Sequence, residues 1–216
     1  MKAILLDVDG TLVNSIPLIL ESVKITINHF GFRISNQKLR ELSQLHSREI
    51  ALWLIDNKKN NFDLEQFIDY RRKTFLKLLK KNGCEWFNDS KSFILKVSKK
   101  HKIGIVTGSR TLFLKEIFDE EIKKNFNFII TSDEVNNKKP DIEPIQITLK
   151  KLKVKRHEVV FIGDSTQDAL MCKRARIGFI GKTTGISTKR QLEKFKPIFI
   201  GKNFKEIELF LGFERN

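Results

Sequence analysis

Apolar residues along this chain follow two different patterns, and the change from one to the other outlines its architecture. Short, nearly unbroken apolar runs are typical of strands buried on both faces of a parallel sheet. Such runs lie at 4–6, 103–107, 126–131, 159–162, 177–180 and 197–200. From residue 90 onward they alternate with helix-like segments, placed at 90–97, after 109, and at 141–152, 168–175 and 206–211. This alternation predicts an α/β fold in which all the runs, including the first, form one parallel sheet with crossover helices.

Residues 15 to 83 show the second pattern, with apolar side chains at helical spacing and no strand-like run. Four helices are predicted in this segment. Their expected caps and terminators are Ser15 followed by Pro17, Gly31, Asn36, Ser47, Asp63 and Gly83. We therefore expect a core domain formed by residues 1–14 and 84–216, with an all-helical insertion at 15–83 that is placed to act as a lid.

The composition suits this layout. With 216 residues, of which 40% are hydrophobic and 18 are phenylalanine, the chain can bury a substantial core beside a smaller insertion. No apolar run approaches the roughly 20 residues needed to cross a bilayer, so we expect no membrane association. Cys84 and Cys172 are far apart and form no CxxC pair, which favours a reduced, cytoplasmic protein without a cysteine-based zinc site.

The formal charge of +15 has two interpretations. It favours a polyanionic partner such as nucleic acid, or it reflects a lysine-rich surface that attracts small anionic substrates. The basic residues are scattered, with short clusters at 71–73, 99–102, 138–139 and 150–156, and none alternates with aromatic residues. We therefore favour the solvated surface and do not expect nucleic acid as a partner.

Polar residues follow several of the predicted strands, where open α/β sheets place their ligands. Asp7 and Asp9 follow the first strand, and two acids so close together repel each other unless a cation lies between them. Thr107 ends the second strand, and the backbone amides after it, at a predicted helix start, are candidate donors for a phosphoryl oxygen. Lys139, Asp164 and Asp168 complete a set whose hard oxygen ligands suit Mg²⁺.

Four segments carry a resemblance to the haloacid dehalogenase superfamily. They are Asp7-Val8-Asp9-Gly10-Thr11-Leu12-Val13, which is similar to DxDGT(L/V), then Thr107 after its strand, Lys139-Pro140, and Gly163-Asp164-Ser165-Thr166-Gln167-Asp168, which is similar to GDxxxD. The motifs occur in the superfamily's order and span residues 7 to 168. The resemblance, closest to the phosphoglycolate phosphatase-like subfamily, implies a Rossmann-like sheet with an α-helical cap.

The resemblance also implies a mechanism. Asp7 is expected to attack phosphorus and form an aspartyl-phosphate, while Asp9 protonates the leaving oxygen and later activates water. Thr107 and Lys139 are expected to bind the transferring phosphoryl group. The substrate-binding residues expected around it are Gly10, Gly108 and Ser109. Mg²⁺ is expected to be held by the Asp7 carboxylate, the Asp9 backbone carbonyl and Asp164, with help from Asp168.

Asp9 reduces the number of reaction types that the resemblance allows, because superfamily members that carry aspartate at this place are phosphatases and phosphomutases. Gly163 and Thr107 resemble the hydrolases, whereas sugar phosphomutases usually carry glutamate and serine at these places. We therefore expect a hydrolase, with a β-phosphoglucomutase-like activity as the alternative. The specificity loop of the cap falls at 42–49, where Arg48 is a candidate to bind a substrate carboxylate or a second phosphate. We expect a monomeric or homodimeric phosphatase for a small phosphorylated metabolite, with 2-phosphoglycolate as the leading substrate, and an end-processing or nucleic-acid-binding protein on the same fold as a further alternative.

Overall fold

The computed structural model describes residues 1–58 and 62–213. Its strands are β1 Ala3–Leu6, β2 Lys102–Val106, β3 Phe128–Ile130, β4 Val159–Gly163, β5 Gly178–Lys182 and β6 Phe199–Gly201. Its helices are α1 Ile16–His29, α2 Asn36–Leu42, α3 Ser47–Lys58, α4 Leu64–Asn82, α5 Ser90–Val97, α6 Thr111–Ile117, α7 Glu120–Lys123, α8 Glu143–Leu152, α9 Thr166–Ala175, α10 Lys189–Glu193 and α11 Phe204–Phe210. The chain divides into two compact units, Met1–Asn14 with Cys84–Asn216, and Ser15–Gly83.

The first unit is built on a parallel sheet of six strands within the described residues, in the order β3-β2-β1-β4-β5-β6. Strand β1 lies in the middle and pairs with β2 and with β4. Ala3 stands opposite Lys102 on one side and opposite Val159 on the other, so the carboxyl ends of these three strands are level. The α/β fold class and its parallel sheet are therefore confirmed.

The core of this unit lies between the sheet and helices α8 and α9. Ile145 of α8 and Met171 of α9 are fully buried and belong to the same apolar cluster as Leu5 and Phe161 of the sheet. Continuous apolar strands such as Ala3–Leu6 are buried at every position, as expected when helices cover both faces of a parallel sheet. The packing fixes β1 and β4 rigidly, and these are the strands that carry the acidic motifs.

The second unit is all-helical in the described residues, as predicted. Helices α1 and α3 pack against the long helix α4, and Val23, Ile27, Leu54 and Phe67 are fully buried between them. The Asp63 cap is confirmed, since its carboxylate accepts a 2.7 Å hydrogen bond from the Gln66 N–H.

Other local predictions needed correction. The cap of α2 is Ser35 rather than Asn36, because the Ser35 hydroxyl accepts from the Lys38 N–H at 3.2 Å. Ser15 precedes α1 without a side-chain cap bond, and Ser47 is the first residue of α3 rather than its cap.

The differences in the first unit are at element ends. Strand β3 is shorter than predicted because the Phe126 N–H is used in a turn with the Lys123 carbonyl, 3.0 Å away. The short helices α7 and α10 were not predicted; each begins at a side-chain cap, Asp119 and Thr188 respectively. These changes leave the sheet order and the strand ends unaffected.

Candidate active site

The candidate site lies at the carboxyl edge of the sheet, where the strands run into polar residues. The Asp7 N–H donates to the Ile162 carbonyl at 3.0 Å, so the β1–β4 ladder continues as far as this aspartate. The Thr107 N–H likewise donates to the Ile130 carbonyl at 3.1 Å. Asp164 directly follows β4. Backbone pairing therefore holds the starting points of three sequence motifs side by side.

Gly10 allows the chain to turn sharply after β1. Its φ of 75° is in the left-handed region that favours glycine, and its N–H donates to the Val13 carbonyl at 2.9 Å. A Cβ at this position would lie 2.6 Å from Asp164 Oδ2. Both the backbone conformation and the closeness of Asp164 therefore require glycine, which accounts for the Asp-Gly pair in the first motif.

A buried lysine joins two of the acids. Lys139 Nζ lies 2.8 Å from Asp7 Oδ1 and 2.7 Å from Asp168 Oδ1. Burial alone would lower the pKa of this ammonium, but the carboxylates of Asp168 and Asp7 outweigh the effect of burial and raise the lysine pKa. The other oxygen of Asp168, Oδ2, accepts from the Ser165 hydroxyl at 2.6 Å, so Asp168 is fixed at the start of α9. Asp168 thus positions Lys139 beside Asp7.

Asp164 is held by groups from two other segments. Its Oδ1 accepts from the Thr11 hydroxyl at 3.1 Å, and its Oδ2 accepts from the Ile186 N–H at 2.8 Å. Gly185 packs so closely that a Cβ there would lie 1.7 Å from Asp164 Oδ2. No role is predicted from the sequence for Thr11, Gly185 or Ile186. Thr11 is marked by its place in the first motif, whereas the approach of the loop after β5 has no signal in the sequence.

Three buried carboxylates form a set that can hold a cation. Carboxylate oxygens of Asp7, Asp164 and Asp168 lie within 4.8 Å of one another. Burial raises the pKa of Asp7 well above its usual range; Lys139 opposes this shift, and the neighbouring carboxylates add to it. Burial and Asp168 raise the pKa of Asp164 to about 7. One ammonium therefore does not balance three carboxylates, and a divalent cation with hard oxygen ligands fits this set.

The Asp9 carboxylate lies outside that set and makes different contacts. Its Oδ2 accepts from the Ser109 hydroxyl at 2.6 Å, and Thr107 Oγ1 lies 3.5 Å away. The Thr107 hydroxyl oxygen in turn accepts from the Ser109 N–H at 3.0 Å. Ser109 and Thr107, from the end of β2, therefore orient the one acid of the first motif that is only half-buried.

The predicted amide donors after β2 are placed differently from expectation. Helix α6 begins at Thr111, so Gly108 and Ser109 lie in a turn before it rather than at its first residues. The Ser109 amide is occupied by Thr107, as described above. A Cβ on Gly108 would meet no atom within 4 Å, and this position is exposed.

Arg48, the candidate substrate-binding residue of the helical unit, is exposed at the start of α3, with Nη1 3.3 Å from Glu65 Oε1. Its role in substrate binding stays a prediction. Before the same helix, the His46 N–H donates to Glu49 Oε2 at 2.7 Å, a bond that caps the start of α3.

Basic residues on α4 have partners within the same unit. Arg71 Nη1 donates to the Ser47 hydroxyl at 2.8 Å, and Lys73 pairs with Asp69 at 2.7 Å. Arg72 also pairs with Asp69, and the Tyr70 ring stacks on His29 with centroids 3.9 Å apart. These contacts stabilise the helical unit.

A parallel sheet that gathers buried carboxylates and a lysine at its carboxyl edge defines an α/β enzyme with an aspartate centre. Residues 4–182 match the family model described as haloacid dehalogenase-like hydrolase. The chain therefore belongs to this family of hydrolases, and the relatives described next, which are named as phosphatases and pyrophosphatases, support phosphatase activity.

Two relatives and two solved structures match nearly the whole chain. Pyrophosphatase PpaX of Bacillus pumilus is 27% identical over 98% of this chain and 97% of its own length. Phosphoglycolate phosphatase of Yersinia pestis is 24% identical over 98% and 94%. Among solved structures, a hydrolase from Pseudomonas syringae superposes with a TM-score of 0.84 at 17% identity over all of both chains. CbbY from Rhodobacter sphaeroides, in complex with phosphate, gives a TM-score of 0.81 at 20% identity over 96% of each chain.

Two further features concern the helices and the cysteines. None of the helices in residues 1–58 and 62–213 is long and apolar enough to cross a membrane. Cys84, which is partly buried, and Cys172, which is buried, are both free cysteines.

Proposed function

We propose that this chain is a Mg²⁺-dependent phosphatase that hydrolyses a small phosphorylated metabolite through an aspartyl-phosphate intermediate. The observation that carries the proposal is the separation of two neighbouring acids into different environments. Asp7 is buried against the Lys139 ammonium, whereas Asp9 is half-buried and bound by hydroxyl groups. A nucleophile and a proton carrier require this kind of difference.

Asp7 is the proposed nucleophile. One oxygen, Oδ1, is held by Lys139, which fixes the carboxylate and opposes the rise in its pKa that burial causes. In-line attack by this carboxylate on phosphorus forms the phosphoenzyme and breaks the ester bond. Lys139 also carries the positive charge that reduces repulsion between Asp7 and the approaching phosphate.

Asp9 is the proposed acid and base. As the acid it delivers a proton to the leaving oxygen, and as the base it then accepts a proton from the water that attacks the phosphoenzyme. Its carboxylate is oriented by Ser109 at 2.6 Å, so this hydroxyl sets the direction of proton transfer. Thr107 and the exposed Gly108 that follows it are the proposed binding residues for phosphoryl oxygens.

The carboxylates of Asp7 and Asp164, with the Asp9 backbone carbonyl, are the proposed ligands of Mg²⁺. The metal would neutralise charge on the phosphoryl group and on the acids. Asp168 acts through Lys139, because its two oxygens are bound by that ammonium and by Ser165.

We further propose that the unit Ser15–Gly83 is a cap that sets substrate preference, with Arg48 as its contact for a second anionic group. The leading substrate is 2-phosphoglycolate, as the subfamily resemblance implies. Inorganic pyrophosphate is the second candidate, because a relative named pyrophosphatase matches 97% of its length to this chain. Both substrates carry a second anionic group, and a planar guanidinium suits either one.

The test is phosphate release from a panel containing 2-phosphoglycolate, pyrophosphate, a hexose phosphate and p-nitrophenyl phosphate, with Mg²⁺ and with EDTA. We expect metal-dependent release that disappears in Asp7→Asn. Acid-quenched Asp9→Asn protein, given radiolabelled p-nitrophenyl phosphate, is expected to carry a hydroxylamine-labile label, since this leaving group departs without an acid and the phosphoenzyme that forms is then not hydrolysed. Asp119→Asn is the matched control, because Asp119 only caps α7 and asparagine is an equally good cap.

Several outcomes would reject the proposal. Release that continues in EDTA would exclude the metal requirement, and release by Asp7→Asn would exclude its role as nucleophile. Phosphate transfer within a sugar bisphosphate without net release would favour the mutase. Salt-dependent DNA or RNA binding without phosphate release would favour the nucleic-acid-binding alternative.

A further inference from the structure

Lys182, the last residue of β5, is a buried lysine outside the acidic centre. Its side chain is fully inaccessible to solvent, and Nζ lies 3.9 Å from the centroid of the Phe87 ring and 4.9 Å from that of Phe204. The carboxylates of Asp89 and Asp164 favour the charge on this ammonium, but none of the ion pairs found among residues 1–58 and 62–213 includes Lys182. A buried lysine without an ion-pair partner is costly, so the contacts that it does make need a reason.

The ammonium begins a hydrogen-bond chain that ends on the first motif. Lys182 Nζ donates to Thr184 Oγ1 at 2.9 Å, and the Thr184 hydroxyl donates to the Gly10 carbonyl at 2.7 Å. An ammonium can only donate, so the Thr184 oxygen must act as acceptor towards it. The single hydroxyl proton of Thr184 is then directed at Gly10, the residue next to Asp9. Lys182 therefore fixes the direction of the second bond.

The same loop also touches the other acidic motif. Ile186 donates its N–H to Asp164, and Gly185 packs against that side chain. The Ser187 hydroxyl accepts from the Thr166 N–H at 3.0 Å, at the start of α9. One short segment after β5 thus connects the turn of the first motif with Asp164.

We propose that Lys182 and Thr184 are positioning residues that hold the turn at 9–13, and through it the Asp9 carboxyl, in the place that proton transfer requires. This inference rests on the proposed function of Asp9. The side chains of Lys182 and Thr184 act through Gly10. Their loss should therefore weaken the acid step more than substrate binding.

The central test compares Thr184→Val with Thr184→Ser and with the control Thr148→Val. Valine has the shape of threonine without the hydroxyl, whereas serine keeps the hydroxyl. Thr148 is a buried threonine whose hydroxyl donates to the Pro144 carbonyl at 2.7 Å, so the control removes an equivalent bond elsewhere in the same unit. Lys182→Met, which keeps the length of the side chain but removes the donor, is the second test variant.

For Thr184→Val we expect kcat on 2-phosphoglycolate to fall by roughly 10- to 100-fold, which is the range for a misplaced catalytic group, with KM changed less than about twofold. The loss in the rate of phosphoenzyme formation should be smaller on p-nitrophenyl phosphate, whose leaving group departs without an acid; hydrolysis of the phosphoenzyme, in which Asp9 is the base, is common to both esters. Thr184→Ser should restore most of the rate, and Lys182→Met should lose rate in the same pattern. Equal losses in phosphoenzyme formation on both esters, or the same loss in Thr148→Val, would overturn the inference in favour of general destabilisation.

Hydrogen exchange of the peptide that contains residues 7–14 provides a reading that does not depend on catalysis. Faster exchange there in Thr184→Val than in Thr148→Val is expected, because the Gly10 and Leu12 amides are bonded within the turn. Unchanged exchange would overturn the positioning role. If the wild-type protein releases no phosphate from any ester, the proposed function fails, and the exchange result alone then decides whether Thr184 holds the turn.

Discussion

Gly185→Ala is the substitution for which the structure predicts the most specific defect. The glycine is not among those with positive φ, so alanine fits its backbone and the effect is purely steric. The added Cβ would lie 1.7 Å from Asp164 Oδ2 and 2.1 Å from its Cγ, whereas ordinary contacts of such a carbon begin at 3.4 Å. The carboxylate or the loop must therefore move by about 1.7 Å.

That displacement nearly equals a whole Mg²⁺–oxygen bond, which is about 2.1 Å long and tolerates little distortion. The bond from the Ile186 N–H to the same carboxylate, 2.8 Å long, would be lost as well. Loss of groups that orient a metal ligand typically costs about 10- to 100-fold in affinity, and overpacking costs about 1–3 kcal/mol of folding free energy. We expect the Mg²⁺ concentration for half-maximal activity to rise by about 10- to 100-fold.

The assay is phosphate release against Mg²⁺ concentration, with thermal unfolding measured in Mg²⁺ and in EDTA. Gly178→Ala is the matched control in β5, because its Cβ would come no closer than 3.3 Å, and then only to the flexible end of Ile198. Gly185→Ala should lose most of the stabilisation by Mg²⁺ that Gly178→Ala retains. A Gly185→Ala protein with the metal dependence of the wild type would refute the assignment of Asp164 as a ligand held by this loop.

Other perturbations of buried charges have equally direct readouts. Lys139→Met leaves the carboxylates of Asp7 and Asp168 buried without their ammonium. Urea unfolding of the metal-free protein should therefore show a free energy of unfolding lower by about 3–5 kcal/mol, and activity should disappear. The pKa of Asp164 is about 7 in the folded protein and near 3.8 in the unfolded chain, so the folded protein binds more protons between these pH values. Without metal, the melting temperature should therefore fall as pH rises from 3.8 to 7, and Asp164→Asn should reduce this fall. Burial lowers the pKa of Lys182 from 10.5 to about 8, so stability should rise with pH across that interval by roughly 3 kcal/mol, and Lys182→Met should lack this rise.

The sheet could be predicted from the sequence because its strands are continuous apolar runs that match their environment. Val159–Gly163 is buried at every position, and this is the pattern that a central parallel strand requires. Helix ends were predicted well where one side chain determines the cap, as at Asp63. They were wrong where neighbouring residues are equally suitable caps, as for Ser35 and Asn36.

The candidate site was predictable where its residues follow a strand end within a recognisable motif. Asp7, Lys139 and Asp168 are far apart in sequence, and the structure joins them through 2.8 Å and 2.7 Å contacts. The supporting contacts were not predictable. Nothing in the segment after β5 indicates that Gly185 packs on Asp164, because that contact depends on where one loop lies over another strand end.

The supporting contacts nevertheless follow a consistent physical logic. The turn that carries Asp9 is contacted by hydroxyl groups from both sides, Ser109 after β2 and Thr184 after β5. A lysine placed directly on Asp9 would favour its ionised form and oppose its action as an acid. A hydroxyl fixes direction with much less effect on charge, and Lys182 acts on the turn only through Thr184. The proposed chemistry therefore requires the arrangement observed, with an ammonium on the nucleophile and neutral donors on the acid.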